Sequence, residues 1–190
     1  MTIYFTSDLH FNHSQPFLYE PRGFGSIVEH DYEIIERWNS IVKPNDTVYF
    51  LGDIGMGRDI HYLIECISIL NGDIKWILGN HDSLNRVARI SELPHIEVLG
   101  YGEKLKVSKN TSFFLCHYPV LTMPRNLNGE LNGRTYSICG HSHTKDKWAD
   151  WNVGGIYHVE LDSHDCYPVS LETIVYDIRT KEVSANLSFR

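Results

Sequence analysis

The sequence predicts an α/β domain organised on parallel strands, and three observations carry that expectation. Apolar runs of strand length alternate with stretches of helical periodicity over the first half of the chain. Each run breaks off at glycine or at a polar residue. The second half turns to short, closely spaced runs separated by Gly and Asn. The chain's 190 residues suit a single domain, residues 1–190, large enough to bury a substantial core.

The first run, Ile3-Tyr4-Phe5-Thr6-Ser7, reads as a strand and delivers Asp8-Leu9-His10. Strand alternation points Asp8 and His10 to the same side, two residues apart. After a Pro- and Gly-containing loop over residues 16–26, Ile34, Ile35, Trp38, Ile41 and Val42 recur at helical spacing until Lys43-Pro44 ends the helix. Thr47-Val48-Tyr49-Phe50-Leu51 is the next strand, followed at once by Gly52-Asp53. Ile60, Leu63, Ile64, Ile67 and Leu70 mark a second helix, closed by Asn71-Gly72. The third strand, Ile74-Lys75-Trp76-Ile77-Leu78, is broken by Gly79-Asn80-His81-Asp82. This strand, helix, strand, helix, strand order favours parallel pairing through right-handed crossovers.

Ser83 is placed to cap a short third helix through Leu84, Val87 and Ala88, ending before Pro94. From Ile96 the runs Glu97-Val98-Leu99, residues 103–107 and residues 111–116 predict hairpins. The last of them leads into His117-Tyr118-Pro119. Residues 120–135, which include Arg125 and Asn126, predict an exposed loop near whatever His117 serves. Tyr136-Ser137-Ile138-Cys139 is another strand, and Gly140-His141-Ser142-His143 follows it. Beyond Trp148, residues 157–161, 174–178 and 183–189 read as strands, while His158 and His164 read as surface or loop residues.

A net charge of -7 disfavours a large phosphate-backbone footprint, so a small molecule is the expected partner rather than an extended nucleic-acid duplex. The start Met1-Thr2-Ile3-Tyr4 carries no basic segment followed by a long apolar one, and no run reaches membrane-spanning length. A cytoplasmic protein without a membrane partner is expected. Cys66, Cys116, Cys139 and Cys166 are scattered and read as reduced thiols.

Of the 11 histidines, His10, His81, His117, His141 and His143 stand at or just beyond the ends of apolar runs. Five runs therefore each end in a potential ligand: Asp8/His10, Asp53, Asn80/His81, His117 and His141/His143. In a layered α/β fold the carboxyl ends of strands form the site, so these residues converge. Two carboxylates, one amide and four histidines exceed one tetrahedral zinc but suit two divalent cations sharing a bridging group. Nitrogen and oxygen donors without thiolate point to Mn, Fe, Zn, Co or Ni.

The motifs Asp-x-His, Gly-Asp, Gly-Asn-His-Asp, a lone His and Gly-His-x-His, in this order over residues 8–143, resemble the calcineurin-like metallophosphoesterase superfamily. Asp162 and Pro168-Val169-Ser170-Leu171 resemble the small, cap-less bacterial and phage members. The resemblance implies a four-layer α/β/β/α sandwich with two mixed β-sheets and a dinuclear metal site at the strand ends. It implies one metal on Asp8, His10, Asp53 and His143, and a second on Asp53, Asn80, His117 and His141, with Asp53 bridging. It also implies a non-ligating His81 that assists the leaving oxygen or stabilises the phosphoryl transition state, with Asp82 orienting it, and in-line attack by a hydroxide bridging the cations. Cys116 stands where many relatives carry a small residue such as Gly, with little effect expected.

His13, at i+3 from His10, and Arg125 and Asn126 are candidates for substrate contact, with a solvated loop as the alternative. The expected reaction is hydrolysis of phosphate esters, with phosphodiesters of small or nucleotide-like substrates preferred. The alternatives are a phosphomonoesterase, including a protein phosphatase, and a non-catalytic scaffold of the same fold. The scaffold is disfavoured because His81 and the whole ligand set are present.

Overall fold

The computed structural model describes residues 1–122, 134–149 and 155–187. Along the chain run β1 (Ile3–Thr6), α1 (Pro16–Tyr19), α2 (Ile27–Ile41), β2 (Thr47–Phe50), α3 (Ile60–Ser68), β3 (Asp73–Ile77), α4 (Leu84–Ile90) and β4 (Ile96–Gly100). They are followed by β5 (Glu103–Lys106), β6 (Thr111–Leu115), β7 (Arg134–Cys139), β8 (Ile156–His158), β9 (Val169–Ser170) and α5 (Leu171–Leu187). One sheet has the order β4-β3-β2-β1-β9, parallel except for β9; the other has the order β5-β6-β7-β8, parallel except for β5. Both sheets are therefore mixed, and the chain has the α/β architecture that the motif order implies.

Side-chain alternation divides the core in two. Val48, Phe50, Ile74 and Trp76 pack against Ile34 and Trp38 of α2 and Leu63 and Ile67 of α3. Phe5, Tyr49, Leu51 and Ile77 point the other way, onto Phe113, Leu115, Tyr136, Ile138 and Tyr157 of the second sheet. Strands buried on both faces read as continuous apolar runs, which is why the first three were visible in the sequence. The crossover helices begin on side-chain caps. The Ser26 hydroxyl accepts the Glu29 N–H at 3.2 Å, and the Asp59 carboxylate accepts those of His61 and Tyr62 at 3.0 and 3.2 Å. Ser83 takes the N-cap position of α4 but makes no side-chain cap bond.

Three expectations are corrected. First, β5 and β6 do form a hairpin, but β4 pairs in parallel with β3 and extends the first sheet. Second, residues 171–187 form a helix rather than strands. Leu171, Ile174, Val175 and Ile178 recur three and four apart and join the core between the sheets, and the Ser170 hydroxyl accepts the Thr173 N–H at 3.1 Å. That amphipathic stripe and cap outweigh the β-branched content. Third, His158 is buried on β8, with Nδ1 3.1 Å from Glu160 Oε2, and His164 donates from Nε2 to the His158 carbonyl at 2.9 Å. His158 is therefore no surface or loop residue, whereas His164 does sit in a turn, half-buried and held by that bond.

Parallel register carries the carboxyl ends of the strands to one edge. Thr6 pairs with Phe50, Asp8 N–H reaches the Gly52 carbonyl at 2.9 Å, and His10 N–H reaches that of Asp53 at 3.0 Å. On the second sheet Gly140 N–H bonds the His117 carbonyl at 3.0 Å. Among the described residues no helix is long and apolar enough to cross a membrane.

Burial, the larger influence, pushes the His164 imidazole down from 6.5 to about 4, against its bond to the His158 carbonyl. A lowered folded pKa means that the unfolded chain takes up this proton first. The contribution is intact above pH 6.5 and is lost as pH falls toward about 4, on the order of 3 kcal/mol. His164→Gln, which keeps an N–H donor and removes the titration, is expected to flatten the stability loss in that window in pH-dependent urea unfolding.

Candidate active site

Asp8 and His10 leave the end of β1 on a tight loop. One Asp8 oxygen, Oδ2, accepts the His141 N–H at 3.0 Å; the other, Oδ1, is buried without a hydrogen-bond partner. It lies 3.6 Å from His10 Nε2 and 3.6 Å from His143 Nε2, and the two imidazole nitrogens are 3.2 Å apart. Asp53 Oδ2 is also 3.6 Å from His10 Nε2. A buried oxygen with no donor, facing two imidazole lone-pair positions, is chemistry that a cation satisfies.

A second group adjoins the first. Asp53 Oδ1 accepts the His81 N–H at 2.8 Å, while Asp53 Oδ2 is 3.4 Å from His117 Nε2. That nitrogen is 2.9 Å from Asn80 Oδ1 and 3.2 Å from His141 Nδ1. His117 Nδ1 donates to the Leu51 carbonyl at 2.8 Å, so the neutral ring presents Nε2 as a lone pair. Ligand atoms of Asp8, His10 and His143 lie within 4.8 Å of one another, as do those of Asp8, Asp53 and His117. These groups are able to hold divalent metal. All seven residues read from the sequence as ligands, Asp8, His10, Asp53, Asn80, His117, His141 and His143, are brought together.

The electrostatics follow from two enclosed carboxylates. Burial works against ionised Asp8, but the His10 ring beside it and the charges of His117 and His143 outweigh it and hold the carboxyl down at about 2. Burial likewise opposes charged His117, while the adjoining Asp53 carboxylate and the Asp8 charge raise it to about 9. Without a bound cation, protons on imidazole balance the carboxylates.

Backbone geometry sets these side chains apart. Asp8, His10, Asp53, His141 and His143 have φ between 48° and 73°, the left-handed region that non-glycine residues seldom occupy. Two glycines admit the crowding: a Cβ on Gly79 would collide with Asp53 Oδ1, and one on Gly140 with Ser7 Oγ and Asp8 Oδ2.

His81 is exposed at the mouth, its ring centroid 5.5 Å from that of His10 and its carbonyl held by Arg86. The role expected for Asp82 is corrected. Its carboxylate accepts the N–H groups of Asp53 at 2.8 Å, Gly79 at 2.8 Å and Ile54 at 3.1 Å and the Trp76 indole N–H at 3.2 Å. Four donors occupy it, and it ties the end of β3 to the Asp53 turn instead of orienting the His81 ring. His13 lies beside His10 at 5.6 Å between ring centroids, with Phe17 against its other side at 5.5 Å. Arg125 and Asn126 lie outside the described residues. Tyr118, 4.7 Å from the His141 ring, and Arg22, bonded to the Asp8 carbonyl at 2.9 Å, were not singled out from the sequence as site residues. Tyr118 at least follows His117 directly, whereas Arg22 sits in a loop with no periodic signal.

Asp82→Ala strips four buried or partly buried donors of their acceptor, each worth about 1–3 kcal/mol when left unsatisfied. The melting temperature is expected to drop by roughly 10 °C or more; an unchanged value would remove the stapling role.

The comparisons with known proteins agree with this geometry. The calcineurin-like phosphoesterase superfamily domain matches residues 1–160. The uncharacterized protein MJ1445 of Methanocaldococcus jannaschii is 32% identical over 177 residues, covering 91% of this chain and 89% of its own. The gene 66 protein of Mycobacterium phage D29 is 30% identical over 196 residues, covering 93% and 96%. The structure of AQ665, a protein of unknown function from Aquifex aeolicus, superposes with a TM-score of 0.66 at 21% identity over 92% of this chain and 98% of that one, a likeness of fold. With the matched domain spanning every strand end that feeds the site, the chain belongs to the calcineurin-like phosphoesterase superfamily.

Proposed function

We propose that the protein is a phosphodiesterase dependent on two divalent cations, acting on small or nucleotide-like phosphate esters. The observation that carries this reading is Asp53 Oδ2, a single oxygen 3.6 Å from His10 Nε2 and 3.4 Å from His117 Nε2, within reach of one histidine from each donor group. In this reading Asp8, His10, Asp53 and His143 hold one cation, and Asp53, Asn80, His117 and His141 the other. The bound pair supplies Lewis acidity, drawing charge from phosphate oxygens and making water a better nucleophile at neutral pH.

The chain's own groups do the rest. Asp8 and Asp53 are 0% and 2% exposed, so their charges are directed at the cations rather than at a phosphate approaching from solvent. His81 stands exposed at the entrance, with its backbone N–H fixed to Asp53. From there its ring is positioned to carry a proton for the departing oxygen, a role worth 10²–10⁴-fold in typical general acid catalysis. His141 and His143 are also exposed, which supports a substrate with a group on each side of phosphorus.

The test is hydrolysis of bis-nitrophenyl and mono-nitrophenyl phosphate by the Mn²⁺-loaded protein. A higher kcat/KM is expected for the diester, and a large monoester preference would assign the chain to the phosphomonoesterases. His81→Ala is expected to lower kcat by about 10²-fold or more with metal content unchanged. A loss below tenfold would leave His81 without a part in proton transfer.

A further inference from the structure

We propose that Arg22 and Asp162 are positioning residues that fix which nitrogen of His143 carries its proton and aim the other into the metal centre. The inference rests on His143 being a metal ligand, as in the proposed function. Both side chains are enclosed, at 1% and 9% exposure, and they meet as a two-pronged ion pair: Arg22 Nε to Asp162 Oδ1 at 3.0 Å and Nη2 to Oδ2 at 2.7 Å. The same Asp162 Oδ2 lies 3.0 Å from His143 Nδ1.

Donor and acceptor chemistry sets the sense of each bond. A carboxylate only accepts, so His143 Nδ1 must hold the proton, and Nε2 is left as a lone pair beside His10 Nε2 and Asp8 Oδ1. A guanidinium only donates, so the 3.4 Å approach of Arg22 Nη2 to His143 Nδ1 is proximity rather than a bond. By the same rule Arg22 Nη1 donates to His30 Nε2 at 2.9 Å, and His30 must then donate from Nδ1 to Asp31 Oδ1 at 2.8 Å. Asp31 Oδ2 accepts the Asn12 N–H at 2.8 Å and the Tyr62 hydroxyl at 3.0 Å. One connected set of hydrogen bonds thus runs from α2 and α3 through Arg22 and Asp162 to His143.

The chain also clamps the backbone that presents the ligands. Arg22 Nη2 bonds the Asp8 carbonyl at 2.9 Å and Asp31 holds the Asn12 N–H, bracketing a turn with Asp8, His10 and Asn12 all at positive φ. Glu160, fully buried, accepts the Thr144 N–H at 2.9 Å and secures the residue after His143. A buried ion pair is weak evidence of net stability, whereas groups behind a metal-binding imidazole commonly govern its orientation and its affinity for metal.

The test reads the imidazoles directly. In the metal-free wild type at alkaline pH, ¹⁵N shifts of His143 are expected to show a protonated Nδ1 and a bare Nε2; the opposite assignment overturns the proposal whatever the variants do. Asp162→Ala is expected to move His143 toward the Nε2–H tautomer and to weaken Mn²⁺ binding at one site by about 10–100-fold, measured calorimetrically, with the other site changed far less. Asp162→Asn, which keeps an acceptor for Nδ1–H, should restore the tautomer and most of that affinity. Wild-type tautomer and wild-type Mn²⁺ affinity in Asp162→Ala would also overturn it. A wild type that takes up no Mn²⁺ contradicts the proposed function instead, and the ¹⁵N shifts then decide the proton placement alone.

Discussion

Two carboxylates, Asp8 and Asp53, are sealed from water at the ends of adjacent parallel strands, and positive charge has to stand beside them. Leaving one ionised carboxylate unpaired in such a place costs far more than a domain's net stability allows. Imidazoles at 3.4–3.6 Å provide that charge when protonated, and divalent cations provide it more completely. The remaining features of the site can be read as consequences. Five of the seven predicted ligands accept left-handed backbone so that their side chains turn inward, and glycines leave room where the turns touch.

Such a turn-rich edge holds only if the sheets behind it are rigid. The central strands β1, β2 and β3 are packed on both faces, with Trp38 and Trp76 fully buried on the helix side and Phe5 and Leu51 on the side of the second sheet. Asp82 then fastens the β3 turn to the β2 turn through Asp53 and Ile54 and to β3 itself through Trp76 and Gly79, and Gly140 N–H fastens the β7 turn to His117. Precision at the chemical edge is thus inherited from ordinary burial and from polar groups that never meet a substrate. The motif residues divide accordingly: His81 faces outward at the mouth, while its neighbour Asp82 faces inward and holds the frame.

Much of this was legible beforehand. Strands buried on both faces leave unbroken apolar runs, so the ends of β1, β2 and β3, and with them Asp8, Asp53 and Asn80, stood out. Pairing across the second sheet did not, because β5 to β8 are short and partly polar, and parallel and antiparallel neighbours look alike at that length. The helix over Leu171–Leu187 was masked by Ile174, Val175 and Ile178, whose β-branched side chains suit strands until the Ser170 cap and the three-and-four spacing are weighed. Asp82 and Arg22 were opaque for another reason. The partners that fix their roles lie on other strands and loops, Asp53 and Ile54 for Asp82 and, 140 residues distant, Asp162 for Arg22.

In the proposed centre, Asp53 would help to hold both cations. Anomalous diffraction from a crystal soaked in Mn²⁺ measures this most directly. Two peaks roughly 3.5–4 Å apart, flanking Asp53 Oδ2 with one toward His10 and His143 and the other toward His117 and His141, are the predicted result. A single peak, or density away from Asp53, would contradict it.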